Sequence, residues 1–173
     1  MSLVSPTARR WIEAQGFIGL DDGTLAAIQY WLRLSPAICM IWTAAGLFLG
    51  SAMMLWALVP FAALGAVLPT HPFDVCYNSG VRRLRRTPPI PRYGVPRRFA
   101  CLMATILLTV AAWALQSGLT TLAYGAGGLV VLGAFVNVTT GFCVPSFIYG
   151  LFVGQQQGGG NEDPEPVAGR VKV

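Results

Sequence analysis

The sequence predicts an all-α integral membrane protein, with four transmembrane helices arranged as two hairpins and with short interfacial helices. The first observation is composition, since 54% of the 173 residues are hydrophobic and 11% are charged, against about 25% charged in soluble domains. The second is that two long apolar stretches flank a segment rich in Arg and Pro. A chain of this length cannot bury so much apolar surface within itself, so lipid is the expected solvent.

We divide the chain into three parts. Residues 1–34 form an N-terminal cytoplasmic or interfacial segment, and residues 35–153 form a four-helix membrane domain with an Arg- and Pro-rich cytoplasmic loop at 70–98. Residues 154–173 form a polar, Gly-rich tail, a composition typical of flexible segments. The first part lacks the apolar run of a cleavable signal peptide, so insertion through internal spans is expected.

Two short amphipathic helices are predicted in the N-terminal segment. Ser5 followed by Pro6 is typical of a helix start, because Ser caps free N–H groups and Pro suits the first turn. Asp22 is the expected cap of the second helix. The apolar face of that helix carries Leu25, Ile28, Trp31 and Leu32. A helix lying among lipid headgroups and a helix packed on the protein both fit this pattern.

The first apolar stretch, residues 34–68, is long enough for two helices. As one helix it would measure about 52 Å, against a hydrocarbon core of about 30 Å. Gly50-Ser51 is the turn-permissive pair near its middle, so helices are predicted at about 36–50 and 52–69. Both are short for a full crossing, and a shallow hairpin that crosses only part of the bilayer is the alternative.

The second apolar stretch begins at Phe99 and is interrupted by Gln116-Ser117-Gly118. A fourth helix is expected from near Leu122 to about Thr140. Pro145 is expected to end or kink this fourth helix, because proline cannot donate the backbone hydrogen bond of a helix interior. The two apolar stretches therefore predict two hairpins of similar design.

The segment between the hairpins, residues 71–98, is predicted to be the main polar loop, since the prolines at 87–91 disfavour helix. Loops rich in Lys and Arg stay in the cytoplasm. Two crossings on either side then place both termini in the cytoplasm, and the expected location is the inner membrane of a bacterium. Topology alone explains these charges, so no nucleic-acid partner is expected.

Basic and aromatic side chains near the membrane are expected to contact anionic lipids or acidic surfaces of partner subunits. For the arginines, a purely topological role is an equally good explanation. The candidate contact residues are Trp11, Trp31, Arg82, Arg83, Arg85, Arg86, Arg97 and Arg98.

The four cysteines are the sharpest candidates for chemistry. Each predicted hairpin has one near its start and one near its end, so all four lie near the cytoplasmic face: Cys39, Cys76, Cys101 and Cys143. Converging thiolates could hold zinc or an iron–sulfur cluster, and paired thiols could exchange with a partner disulfide. Cys is also an ordinary small apolar residue in helix packing, and no Cys-x-x-Cys spacing is present. No metal site is assigned.

A second possible ligand set consists of His71, Asp74 and Cys76, residue types that suit zinc. A structural role, in which His71 or Asp74 caps the loop or meets an Arg side chain, is the preferred interpretation. His71 is the single histidine and lies at the end of a span. This position excludes a haem held by imidazole at the middle of the membrane.

Several motifs occur in a characteristic order around the hairpins. They are His71-Pro72-Phe73-Asp74, Tyr77-Asn78, Pro91, Pro96-Arg97-Arg98-Phe99-Ala100 and the run Gly141-Phe142-Cys143-Val144-Pro145-Ser146-Phe147-Ile148-Tyr149. Over roughly residues 20–153 the chain resembles the bacterial membrane family called domain of unknown function 4395. The resemblance implies a fold and a membrane location, and it transfers no activity.

The expected function is that of a non-catalytic accessory subunit in a larger bacterial membrane complex, such as a photosynthetic reaction-centre–antenna or respiratory assembly. No Ser/His/Asp set or Gly-rich phosphate loop is present, so no enzyme is predicted. Other integral membrane subunits would pack against small residues at Ala45-Gly46, Gly50-Ser51-Ala52 and Gly125–Gly128. No cofactor is expected beyond contacts with lipid or pigment. The alternative is a small membrane thiol-redox or metal-binding protein that uses the cytoplasmic-face cysteines.

Overall fold

A computed structural model of the chain describes residues 4–17, 19–81 and 89–157, without the side chains of Cys76, Val81 and 153–157. Every regular element within these ranges is helical. The helices are α1 Pro6–Ala14, α2 Asp22–Ile28, α3 Leu34–Phe48, α4 Ala52–Val67, α5 Pro72–Cys76, α6 Val95–Gln116, α7 Thr120–Thr140 and α8 Val144–Gln157. A 3-10 turn at Trp31–Arg33 leads into α3, and a π-helical turn at Tyr77–Val81 continues α5.

The first two helices begin almost where the sequence predicts. Ser5 Oγ accepts the Ala8 N–H at 3.2 Å, and Pro6 opens α1. The predicted cap of α2 is wrong by one residue, because Asp21 and not Asp22 accepts the Thr24 N–H, at 2.9 Å. Asp21 has the extended backbone of a cap (φ −68°, ψ 155°), whereas Asp22 already belongs to the first turn.

A closed bundle is formed by α3, α4, α6 and α7, and each of these helices packs against two of the others. The most extensive contact is between α4 and α6, and α7 packs against both α3 and α6. The two hairpin turns contain glycines with positive φ, Gly50 at 59° and Gly118 at 76°. Side chains disfavour this conformation, so both turns occur where the sequence offers a glycine.

Three segments are long and apolar enough to cross a bilayer: Trp31–Phe48, Val95–Gln116 and Thr120–Thr140. Helix α4 has 16 residues, which is about 24 Å and less than a hydrocarbon core of about 30 Å. It reaches the required length only together with Pro72–Gly80, to which it is bent by 79°. The described helices are therefore compatible with a membrane protein of three spans, or four with one of them broken.

The segment between the hairpins differs from the predicted polar loop. It contains α5 and the following π-helical turn, and α6 begins at Val95, before the predicted end of the loop. His71 caps the start of α5 and Pro72 occupies its first position, so the local sequence favours a short helix here. Ile90 and Tyr93 are buried. Arg82, Arg83, Arg85 and Arg86 lie outside the described residues.

The end of α7 also differs from the prediction. Gly141, with φ 79°, ends the helix as a left-handed cap, and its N–H donates to the Asn137 carbonyl oxygen at 2.8 Å. Pro145 therefore does not end the fourth helix but lies in the first turn of α8, a position that proline tolerates. Residues 154–157 of the predicted tail belong to α8, and residues 158–173 lie outside the described part of the chain.

The N-terminal segment packs against the chain between α5 and α6 and closes one end of the bundle. Leu25 and Ile28 are fully buried, which favours packing over lipid contact for the apolar face of α2. Trp31 lies against Tyr77, with ring centroids 4.6 Å apart. The buried residues of this end layer are Val4, Ile12, Phe17, Leu25, Ile28, Leu32, Tyr77, Ile90 and Tyr93.

Candidate functional site

A cavity of about 150 Å³ lies between the bundle helices next to the end layer. Three cysteines from three different elements line it: Cys39 of α3, Cys101 of α6 and Cys143 in the turn before α8. All three are free thiols. The structure thus brings together three of the four cysteines that the sequence singles out, while the side chain of Cys76 lies outside its description.

Cys143 reaches the cavity because hydrogen bonds hold the chain that follows α7. Gln15 Nε2 donates to the Gly141 carbonyl oxygen at 2.8 Å. Ser146 Oγ donates to the Pro96 carbonyl oxygen at 3.1 Å. These bonds attach the turn to α1 on one side and to the start of α6 on the other, so Cys143 is buried between them.

The thiols line a cavity wall and do not converge on a single point. Zinc–sulfur bonds of about 2.3 Å require ligands that meet at one position. Among the side chains that the structure describes, which do not include that of Cys76, no three from His, Cys, Asp or Glu are arranged to hold a metal ion. The zinc and iron–sulfur candidates, Cys39, Cys101, Cys143 and His71, are therefore not assembled as a metal site in the described structure.

His71 has a structural contact and also faces the cavity. Its Nδ1 accepts the Phe73 N–H at 3.4 Å, which caps α5 as the preferred interpretation of the sequence expects. Burial lowers the pKa of His71 from 6.5 to about 4, and the positive charge of Arg97 acts in the same direction. The imidazole is therefore neutral at pH 7. Since Nδ1 accepts, the proton belongs on Nε2.

His71 and Cys101 both border the space beside Gly65, a glycine of α4. A Cβ added at Gly65 would lie 3.0 Å from His71 Nε2 and 3.2 Å from Cys101 Sγ. The absence of a side chain at Gly65 is what allows the imidazole and the thiol to share this space. The imidazole N–H and the thiol of Cys101 therefore border the same space.

Asp74 is fully buried and organises the polar end of the cavity. Its two carboxylate oxygens each accept a hydrogen bond at 2.5 Å, one from Ser35 Oγ and one from the hydroxyl of Tyr93. Burial raises the pKa of Tyr93, so the phenol stays protonated and can donate. Asp74 thus serves as a structural acceptor, and both of its donors line the cavity.

The predicted contact of Arg97 with a lipid or partner surface is wrong, because the residue is buried. Its side chain is only 5% exposed, and it donates to Gln15 Oε1 at 2.8 Å and to the Leu32 carbonyl oxygen at 2.6 Å. The guanidinium carbon lies 4.5 Å from the centre of the Tyr93 ring. Arg97 therefore joins α6 to the N-terminal segment from inside the protein and cannot reach a lipid or partner surface.

The other described contact candidates also have partners within the chain. Arg98 donates to the carbonyl oxygens of Ala66 and Val67 at the end of α4, at 2.9 and 2.7 Å, where a cation favours the negative helix terminus. Trp11 meets Phe142 edge to face, with centroids 6.0 Å apart. Trp11 and Arg98 keep part of their surface exposed, so contact with lipid remains a prediction for them.

Three polar lining residues are not among the site candidates that the sequence offers: Ser35, Tyr93 and Asn137. Asn137 is 8% exposed although it lies in an apolar helix. Ser35 and Asn137 each interrupt an apolar stretch, and this is the one sequence signal that could have identified them. Tyr93 carries no such signal, because its role depends on Asp74 and Arg97 being brought around it.

One family model matches the chain, over residues 29–153, and its description reads "Domain of unknown function (DUF4395)". The match confirms the resemblance inferred from the sequence motifs and includes every residue that lines the cavity. No curated protein and no solved structure matches the chain.

Proposed function

The chain belongs to the family of domain of unknown function 4395, and from that premise we propose that it is a membrane thiol-redox protein in which two cysteines of the cavity form a disulfide reversibly. The observation that carries this proposal is the placement of Cys39, Cys101 and Cys143, from three separate elements, on the wall of one cavity. The shared wall brings cysteines that are far apart in the sequence into one space, as formation of a disulfide within the chain requires.

The reaction is a two-electron exchange. Two thiols of this chain lose their hydrogens and form one S–S bond, while the disulfide of a partner breaks and takes up the two electrons and two protons. A mixed disulfide between the chains is the intermediate. Since the cytoplasmic side is reducing, the dithiol is the resting form.

Cys101 is the thiol best placed to take part. It lies one helical turn after Arg97, so the two side chains project from the same face of α6. A thiolate formed during exchange would have the buried guanidinium as its counter-charge. Cys101 and His71 also border the same space beside Gly65, so both line one part of the cavity.

The proposed orientation places the cavity at the cytoplasmic end of four crossings in a bacterial inner membrane, with both termini inside. Arg33, Arg92 and Arg98 lie at the bundle end that carries the cavity. The turns at the opposite end, 49–51 and 117–119, contain no charged residue. Positive charge concentrated at one end of the spans supports this orientation.

The test is a thiol count on the purified full-length chain carrying Cys76→Ser, so that only the three cavity cysteines remain. After treatment with diamide, a thiol-specific oxidant, the chain is denatured and labelled with maleimide. We expect two thiols to be lost per chain and peptide mapping to recover a disulfide that contains Cys101. Cys101→Ser should abolish the loss. Three thiols labelled after oxidation would refute the proposal.

The accessory-subunit function is a second candidate, and the surface of α7 favours it. A Cβ added at Gly125 or Gly128 would meet nothing within 4 Å, and the neighbouring Tyr124 and Leu132 are exposed. This face could receive a helix of another membrane subunit. Two other small residues named for this role, Gly46 and Gly127, are instead packed inside the chain.

Gly46 and Gly127 make room for leucines of the same bundle. A Cβ at Gly46 would lie 2.7 Å from a Leu55 methyl carbon, and one at Gly127 would lie 2.8 Å from a Leu47 methyl carbon. Only the outward glycines therefore support a partner helix. Extraction of the native protein in mild detergent tests this function, and migration as a monomer alone would count against it. A photosynthetic or respiratory host stays a prediction from the sequence.

A further inference from the structure

The cavity changes from polar to apolar along the bundle. His71, Tyr93 and Asn137 line it near the end layer, and Leu107 and Val130 line it further into the bundle. Val130 precedes Asn137 on α7 by about 10 Å along the helix axis, at about 1.5 Å per residue. A ligand with a polar head at the membrane interface and an apolar body toward the bilayer centre would match this order.

The size of the cavity selects the kind of head group. Its volume is about 150 Å³, and an engineered protein cavity of about 150 Å³ is known to bind benzene. The space therefore accommodates one six-membered ring. A phospholipid head group with its glycerol backbone would not fit inside.

The cavity has a wall that is shared with the outer surface of the bundle. Leu129 lines the cavity and is nevertheless 60% exposed. Gly133, one turn further along α7, also lines it, and a Cβ added there would meet nothing within 4 Å. On a membrane-spanning helix this surface faces hydrocarbon, so a ligand dissolved in the bilayer can enter without crossing the polar end layer.

The polar groups of the cavity favour an uncharged acceptor. His71 offers its Nε2 hydrogen, since Nδ1 is occupied by the Phe73 N–H. Arg97 directs its two terminal nitrogens to Gln15 and Leu32, so these N–H groups are already engaged and His71 is the donor left for a ligand. Among the described lining residues there is no carboxylate. A ring that carries a carbonyl oxygen would accept the hydrogen bond that His71 Nε2 offers.

We propose that the cavity binds the ring of a membrane-soluble quinone, with one ring carbonyl oxygen against His71 Nε2, and that this quinone is the two-electron acceptor for the cavity thiols. The proposal rests on the thiol-redox function above: the quinone forms the cavity disulfide, and the exchange with a partner, run in the opposite direction, passes that disulfide to a partner dithiol and restores the cavity thiols. Two S–H bonds break and one S–S bond forms in the protein. The quinone takes up the two electrons and two protons on its two oxygens and becomes a hydroquinone, so no further reactant is needed.

The test uses duroquinone, a benzoquinone whose ring carries only four methyl groups, and the full-length, reduced chain in detergent under anaerobic conditions. No ring position carries hydrogen or a leaving group, so a thiol cannot form a stable thioether with this quinone and the assay measures electron transfer. We expect one hydroquinone to form for every two thiols lost. Gly133→Phe fills the cavity with a ring of its own and should slow the reaction at least about tenfold, which corresponds to about 1.4 kcal/mol.

Gly150→Phe is the control, because Gly150 of α8 has the same free space but neither lines the cavity nor belongs to the proposed partner face of α7. It should react like the wild type. Oxidation by diamide checks that each variant keeps its thiols in place, and Ala134→Leu, which also fills the cavity, replaces Gly133→Phe if that variant does not fold.

The outcomes separate the two proposals. Equal rates for the filled and control variants would show that the quinone reacts outside the cavity and would overturn the quinone site. Oxidation by diamide without any reduction of the quinone would also overturn it, while leaving the thiol-redox function intact. If diamide forms no disulfide among Cys39, Cys101 and Cys143, both proposals fail.

Discussion

The carboxylate of Asp74 and the phenol of Tyr93 form a buried hydrogen bond, with 2.5 Å between Oδ2 and the hydroxyl oxygen. The bond joins α5 to the extended chain that precedes α6, and Ser35 of α3 donates to the other oxygen of the same carboxylate at 2.5 Å. Two segments, α3 and the chain before α6, thus donate to one carboxylate on a third segment, α5. They also form the polar end of the thiol cavity.

Replacing Asp74 should destabilise the protein. Asp74→Ala leaves the hydroxyls of Ser35 and Tyr93 buried without their acceptor, and each unsatisfied group costs about 1–3 kcal/mol. We expect a clear drop in the thermal midpoint in detergent, followed by circular dichroism. Asp22→Ala is the control, since Asp22 is a half-exposed partner of Arg9 and exposed ion pairs contribute about 0–1 kcal/mol. Equal midpoints for the two variants would contradict the role of Asp74.

A methyl group at Gly65 should disturb the cavity. In Gly65→Ala the new Cβ would lie 2.3 Å from His71 Cδ2, so the imidazole must move and α5 loses its cap. We expect a lower thermal midpoint and faster maleimide labelling of Cys101. Gly128→Ala is the matched control on α7, where a Cβ meets nothing, and it should gain up to about 1 kcal/mol from helix propensity.

Arg97 should be more important for stability than an exposed arginine. Arg97→Leu removes the donors of Gln15 Oε1 and of the Leu32 carbonyl oxygen, which leaves buried acceptors unpaired at about 1–3 kcal/mol each. Limited proteolysis should then release the N-terminal segment. Arg10 is exposed, so Arg10→Ala should behave like the wild type. An unchanged proteolysis pattern in Arg97→Leu would count against this link.

Stability should fall in mild acid because of His71. Burial lowers its pKa in the folded protein to about 4, from 6.5, so the unfolded chain binds the proton first as the pH falls. The stability of the fold is therefore complete above about pH 6.5 and decreases toward pH 4, by about 3 kcal/mol for a difference of about 2.5 pH units.

The measurement is the unfolding midpoint in detergent at several pH values. His71→Asn keeps a cap for α5 but removes the titrating group, so its midpoint should vary less than that of the wild type between pH 6.5 and 4. Identical pH profiles for the two proteins would show that His71 does not titrate as described.

The proposed orientation predicts which positions a polar reagent can label. In a variant without the native cysteines, Arg92→Cys lies in the exposed chain before α6 and Ser117→Cys lies in the exposed turn between α6 and α7. In intact cells, a membrane-impermeant maleimide should label Ser117→Cys only. Arg92→Cys should react after the cells are opened. Labelling of Arg92→Cys from outside would reverse the orientation.

The sequence predicted the helices of the bundle closely. The expected helices at 36–50 and 52–69 correspond to α3 Leu34–Phe48 and α4 Ala52–Val67, and the break at 116–118 is where α6 ends. Apolar runs and glycines decide these boundaries locally, so a single sequence contains the information. The wrong cap of α2 and the wrong role of Pro145 have a local cause too, because a residue nearby in the sequence, Asp21 or Gly141, performs the expected function.

Composition and the order of the motifs by themselves determined the helical class, the spans compatible with a membrane and the family, because hydrocarbon selects apolar helices and each motif is short and contiguous. Only the tertiary structure decided that Arg97 is buried and that Cys39, Cys101 and Cys143 share a cavity. Those facts depend on contacts between residues far apart in the chain. No periodicity along the chain encodes such contacts, and they arise when the end layer packs onto the bundle.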